Sequence, residues 1–242
     1  LEGLPGSDNE GDRFVEIWNL VFMQFNKTVN GEKELLPSPS IDTGMGLERL
    51  AAIKQGVFSN YDTDLFQNII QNMAQLAGIK YNDDSSSEQE QNDMSLRVIA
   101  DHARATGFLI ADGVMPSNEG RGYVLRRIMR RAIRYGVQLG FKDPFFYKAV
   151  QTVIDDMYSA YPQLKEREDF IHEVVLGEEK RFSETLDKGL IILEQAFSTL
   201  QEGDVLSGDI AFQLHDTYQL CIYEVQQVSK TRQYLIAVLQ NL

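Results

Sequence analysis

Apolar and polar positions change their spacing several times along the chain. Residues 14–25 are rich in Val, Ile, Phe and Trp, with Glu16, Asn19 and Gln24 as polar interruptions. This pattern predicts a strand buried on much of both faces. Asn30-Gly31 is a hairpin signal between that strand and Glu34, Leu35 and Leu36. Pro37 and Pro39 predict a connector, followed by a short strand over 40–44. A helix then opens at Leu47 and closes near Gly56, a residue suited to a left-handed helix end. A second helix is predicted over 62–79, with Leu65, Ile69, Ile70, Met73 and Leu76 in register and Gly78 at its end. Residues 81–93 have no apolar member after Tyr81 and predict an acidic polar loop or linker. From Met94 the periodicity is helical. Ser95 is a candidate cap for a helix reaching about Asp112. Over 122–139, Val124, Leu125, Ile128, Met129, Ala132 and Ile133 recur at steps of three and four. Further helices are expected over 144–161 and 164–197, the last broken near Gly177.

Composition narrows the class. The single cysteine, Cys221, excludes an internal disulfide and a Cys-based zinc site, and fits a reducing compartment. No apolar run approaches the length of a membrane span, so no membrane partner is expected. The net charge of −13 argues against indiscriminate binding to nucleic acid. Its distribution changes that picture. Residues 97–134 hold eight Arg against Asp101, Asp112 and Glu119, a local balance of +5. An acidic protein with one basic stripe repels RNA everywhere else and so orients it.

Two stretches carry candidate chemistry. Asp42, Gly44, Gly46 and Arg49 lie within eight residues, at the start of the first helix. Glycines without a Cβ let backbone approach a ligand. A carboxylate on one side and a guanidinium on the other suit a ligand with both an amine and a phosphate. The plain alternative is a tight turn opening a helix, with Glu48 and Arg49 as solvated charges. In the helix over 122–139, Arg126, Arg127, Arg130, Arg131 and Arg134 occupy the stripe complementary to the apolar one. No Glu stands at helical spacing to them, which favours phosphate contact over an ordinary solvated basic face. His102, His172 and His215 have no second ligand at metal spacing and are expected to pack or to face RNA.

Five phrases in order carry a resemblance: EIWNLVFMQF at 16–25, DTGMGLERL at 42–50, SNYDTDLF at 59–66, RVIADH at 97–102 and RGYVLRR at 121–127. Together they resemble the alanyl-tRNA synthetase family of class II aminoacyl-tRNA synthetases, the second phrase being similar to motif 3. The resemblance covers roughly residues 1–218. It implies an α+β fold, mostly α: a partial antiparallel sheet of the catalytic domain over 1–80, the loop or linker over 81–93, a helical tRNA-recognition domain over 94–218, and a divergent tail over 219–242. Motifs 1 and 2, with the Arg that binds the α-phosphate, are expected upstream of Leu1, and the editing domain with its zinc ligands downstream. The chain is thus expected to be a piece, inactive alone, of a cytoplasmic ATP-dependent alanine–tRNA ligase.

The same resemblance implies roles. Asn19, Val21, Asp42 and Gly44 would line the alanine site, with Asp42 on the ammonium. Glu16, Gly46 and Arg49 would bind ATP, Arg49 clamping the γ-phosphate and Glu16 also meeting Mg2+. No residue is assigned a covalent catalytic role, and no zinc is expected. Asn118 and Asp216 would read a G·U pair in the tRNA(Ala) acceptor stem, while Arg121, Arg126, Arg127, Arg130 and Arg131 hold phosphates. From the residues alone Asn118 also fits a turn or helix cap, and Asp216 an N-cap. A different class of function stays open: an RNA-binding module that keeps the fold without the chemistry.

Overall fold

The computed structural model describes residues 14–82, 86–198, 205–217 and 235–236. Contacts divide the chain into two compact units, the first running through Asn68 and the second starting at Ile69.

In the first unit, β1 (Trp18–Lys27) and β2 (Lys33–Met45) form an antiparallel ribbon. Gly31, at φ 86°, makes the turn, where the amide of Thr28 donates to the Glu32 carbonyl at 2.9 Å. The hairpin expected at Asn30-Gly31 is therefore present. The proline connector is not: Pro37 and Pro39 lie inside β2. Neither can donate to a ladder. The pairing accommodates them by jumping from Met23↔Ser40 to Phe25↔Leu35, an irregularity opposite Gln24. The expectation that β1 is buried on both faces also fails. Trp18, Leu20, Val21, Phe22 and Phe25 are exposed. A ribbon of two strands has no second layer to cover either face. The apolar composition reports what the strand is built to bury, and nothing among the described residues covers it.

Helix α1 (Leu47–Gln55) follows at once, and Gly56 ends it in the left-handed conformation. The amides of Gly56 and Val57 return to the carbonyls of Ile53 and Ala52, the expected glycine closure. A 3-10 turn over Asn60–Asp62, capped by Ser59, leads into α2 (Asp64–Ala77).

The second unit is helical: α3 (Ser87–Ala111), α4 (Gly120–Gln138), α5 (Phe146–Met157), α6 (Pro162–Glu166), α7 (Glu168–Ser198) and α8 (Gly208–Asp216). Two short strands, β3 (Val205–Leu206) and β4 (Leu235–Ile236), pair in parallel. The fold is α+β and mostly α. Its core gathers Ile69, Ile70 and Met73 of α2, Leu96 and Ile99 of α3, Leu125 and Met129 of α4, Phe146 and Val150 of α5, and Phe182 of α7. Leu76 and Val124, placed on buried stripes by periodicity, are exposed instead. Each sits at the edge of its stripe, where one step of about 100° carries a side chain out of the core.

Three boundaries differ from expectation. Helix α3 begins at Ser87, so the second half of the supposed linker is its first two turns. Ser86, rather than Ser95, is the cap, accepting from the Gln89 amide at 3.1 Å. Gln89 then donates to the Lys80 carbonyl at 2.8 Å and to Asp93 Oδ1 at 2.7 Å. This polar network, buried at Gln89 and Asp93, replaces the missing apolar residues. Helix α7 passes unbroken through Gly177, because Ile171, Val175, Phe182 and Leu186 hold one buried stripe across it. Helix α4 starts at Gly120, two residues early.

Candidate functional site

The register of the ribbon decides which predicted residues meet. Asn19 stands opposite Gly44, and Val21 opposite Asp42. Residues opposite each other in a ladder, and residues two apart in a strand, share a face. The four residues expected around an amino acid therefore form one two-by-two patch. A Cβ on Gly44 would lie 3.4 Å from Asn19 Oδ1, an ordinary van der Waals contact, so the glycine leaves the patch open rather than relieving a clash. The other face carries Trp18, Leu20 and Phe22 against Met45, Thr43 and Ile41. Thr43 locks the two edges together: it accepts from Trp18 Nε1 and donates to the Asn19 carbonyl at 3.1 Å.

Beyond Met45 the chain turns into α1 at Gly46. The Gly46 amide donates to the Ile17 carbonyl at 3.1 Å, extending the ladder by one bond. The Arg49 guanidinium swings back over this joint and donates to the Glu16 carbonyl. A Cβ on Gly46 would lie 3.3 Å from Arg49 Cδ, so this glycine gives Arg49 its path. Glu16 Oε1 accepts from Asn19 Nδ2 at 3.1 Å. The residues expected to hold ATP thus border the patch expected to hold the amino acid. Among the described residues there is no cluster of three or more His, Cys, Asp or Glu able to hold a metal ion. Glu16 is one carboxylate, which suits a Mg2+ bound chiefly through substrate phosphates and water.

In the second unit the arginine stripe of α4 splits in two. Arg121, Arg127 and Arg131 are exposed. The Arg127 guanidinium lies over the Tyr123 ring at 5.6 Å, and those of Arg131 and Arg134 over Tyr135 at 5.9 and 5.7 Å. Arg126 and Arg130, expected to face phosphates, turn inward instead. Their partner is Glu178 of α7, which has no exposed surface. Arg130 donates to Glu178 Oε1 from Nε at 2.8 Å, with a terminal nitrogen at the same distance. Arg126 Nε lies 3.2 Å from the same oxygen, with its N–H not aimed along a hydrogen bond. Arg181 reaches Oε2 at 3.2 Å. Helix α4 itself holds no acid, and this one arrives from another helix.

Asn118 lies exposed in the turn before α4, where its Oδ1 accepts from Arg126. Asp216 stands at the last position of α8. His102 Nδ1 is 2.9 Å from Asp101 Oδ2. That hydrogen bond, against the cost of burial and with help from the charges of Arg104 and Arg131, holds the Asp101 carboxyl below its ordinary range. His172 packs edge-on against Tyr147.

Glu178 and its neighbour Glu179 are the residues that sequence reasoning missed. Glu179 is buried and accepts the amides of Phe145 and Phe146, both at 2.8 Å, at the start of α5. The signal was present: two acids fall where the Val175 to Phe182 stripe calls for an apolar residue.

Residues 3–241 match the model of the family described as tRNA synthetases class II (A), and the chain belongs to that family. It is 53% identical over 231 residues to the alanine–tRNA ligase of Psychrobacter sp., covering 95% of this chain and 25% of that protein. The alanine–tRNA ligase of Lawsonia intracellularis is also 53% identical, over 93% of this chain and 25% of its own length. That of Burkholderia multivorans is 54% identical over 89% of this chain and 24% of its own. The chain spans about a quarter of the curated relatives it matches. The family match runs to residue 241 and takes in the segment from 219 that the sequence reading set apart. That segment, apart from 235–236, lies outside the described residues.

Proposed function

We propose that this chain is the part of a cytoplasmic alanine–tRNA ligase that holds alanine and the far end of ATP and receives the acceptor stem of tRNA(Ala). The similarity to three ligases of that name, all above 50% identity, carries the reading. The two-by-two patch supports its chemical half. Asp42 would bind the α-ammonium by a charge-assisted hydrogen bond, leaving the alanine carboxylate to attack the α-phosphate. Val21, Gly44 and the Asn19 amide would border a small methyl side chain. Arg49 would leave the Glu16 carbonyl for the γ-phosphate, a stronger partner for a guanidinium. Gly46 would let the triphosphate approach the backbone, and Glu16 would offer one oxygen to Mg2+, which when bound screens the phosphate charge. The protein's contribution is placement and charge rather than a covalent step.

The RNA half rests on α4 and the turn before it. A G·U wobble leaves the guanine 2-amino group unpaired in the wide, shallow minor groove of A-form RNA. Asn118 keeps a second lone pair on Oδ1 for that donor while Arg126 takes the first, and Asp216 would be the second acceptor. Arg121, Arg127 and Arg131 would meet phosphates; Arg126 and Arg130 are withdrawn from that role by Glu178.

Alanine-dependent exchange of pyrophosphate into ATP tests the reading. The full-length ligase containing this chain is expected to catalyse it. The 242-residue chain is expected not to, because its ribbon leaves the patch open to water and Arg49 is the only arginine between 14 and 68. Exchange with another amino acid but not alanine, in the full-length protein, would overturn the assignment.

A further inference from the structure

The turn over 115–119 is held far more firmly than an exposed turn requires. The Ser117 amide donates to the Gly122 carbonyl at 3.1 Å, and Ser117 Oγ donates to the Glu119 carbonyl at 2.9 Å. Gly122 permits this, since a Cβ there would stand 2.2 Å from the Met115 carbonyl oxygen. The remaining hold comes from one side chain. Arg126 donates to Asn118 Oδ1 and, at 3.3 Å, to the Pro116 carbonyl. Its own Nε sits 3.2 Å from the fully buried Glu178.

A buried carboxylate is a costly device. Replacing a buried ion cluster by apolar side chains of equal volume is often neutral or stabilising. What such a carboxylate supplies is direction. Glu178 comes from α7, a different helix from the one it organises, and its charge, 3.2 Å from Nε, holds the planar fork of Arg126 beside the turn. With Arg126 fixed, an Asn side chain that would otherwise rotate in solvent keeps its carbonyl oxygen in one place.

We infer that Glu178 is a positioning residue for recognition of the acceptor stem, acting through Arg126 on Asn118. This rests on the reading of Asn118 as a contact to the G·U pair. The same geometry draws Arg126 away from a phosphate clamp: two of its N–H groups go to the turn and its Nε lies against Glu178.

The test uses the full-length ligase and two acceptor-stem hairpins, one with the G·U pair and one with G·C there. The readout is the ratio of their dissociation constants. Glu178→Gln and Arg126→Gln are each expected to reduce the G·U preference about three- to tenfold, the scale of one net hydrogen bond. The double variant Glu178→Gln with Asn118→Ala should show no smaller preference than Asn118→Ala alone. If Glu178→Gln fails to fold, Arg126→Gln decides, since Arg130 and Arg181 still face Glu178 in it. Folded variants with an unchanged preference, or with both hairpins weakened equally, overturn the inference. Asn118→Ala alone separates the two layers: if it leaves the preference intact, the Asn118 reading fails and takes this one with it.

Discussion

Arg130 on α4 places two of its nitrogens 2.8 Å from one oxygen of Glu178 on α7, and its guanidinium also lies 5.0 Å from the Phe182 ring. Arg131, the next residue, is exposed. Adjacent arginines thus serve different ends. Arg130→Ala is expected to lower stability by about 1.5–3 kcal/mol, the scale of a hydrogen bond to a charged group. Urea unfolding measures this. Arg131→Ala should leave the midpoint nearly unchanged, weaken G·U and G·C hairpins alike, and reduce the salt slope of binding by about one. An Arg131→Ala protein with an unaltered salt slope would remove that residue from the RNA face.

The glycines give a graded series. A Cβ on Gly136 would lie 1.9 Å from the Phe145 ring, and one on Gly122 would lie 2.2 Å from backbone. At Gly177 the nearest atom is the end of Arg181, at 4.0 Å. Gly122→Ala and Gly136→Ala should each cost about 1–3 kcal/mol by overpacking. Gly177→Ala, mid-helix and unobstructed, should stabilise by about 0.5–1 kcal/mol. Thermal melts of the three variants check the order.

Glu179 predicts a pH dependence. Burial pushes its carboxyl above 4.5, and the amides of Phe146, Phe145 and Tyr147 pull it partway back. A folded value above the unfolded one means that the native state binds the proton more tightly. The stabilisation is complete below 4.5 and is lost as pH rises through the folded value. The stability of wild type relative to Glu179→Gln should therefore fall as pH rises from below that value to neutrality. Urea titrations over the range decide; a wild type that gains on the variant as pH rises would show the ionised cap to be the stabilising form.

The proposed substrate handles should separate in the full-length protein. Asp42→Asn keeps the shape and removes the charge. Losing a charged hydrogen bond of about 1.5–3 kcal/mol weakens alanine roughly ten- to a hundredfold, with ATP little affected. Arg49→Ala should do the reverse. Equal losses of both ligands for Asp42→Asn, by calorimetric titration, would make that residue structural.

Local chemistry was legible wherever it determines backbone. Gly31, Gly56 and Gly78 all take positive φ where the turn and helix ends were expected. The resemblance put Asn19 and Gly44 at one site, but their pairing was not legible, since no periodicity sets a register across an irregularity. What stayed hidden is tertiary. Gln89 and Asp93 look like linker residues until the Lys80 carbonyl and the Asn82 amide supply their partners. Arg126 and Arg130 look like a solvent face until α7 delivers Glu178. A charge's role depends on what stands opposite, and sequence spacing reports only neighbours on the same helix.

The joint between β2 and α1 has little slack: Trp18 pairs with Met45, and the next amide is bonded to Ile17. Asp42 and Arg49 therefore sit at the two ends of a fixed rule. In the proposed reading, a substrate gripped at its ammonium and its terminal phosphate is measured against a backbone separation set by strand pairing, which only the reach of the Arg49 side chain can adjust. A bulkier amino acid would gain no room along that axis. It would have to find it sideways across the ribbon, over Asn19 and Val21, and those are the positions at which a redesign of amino-acid selectivity should begin.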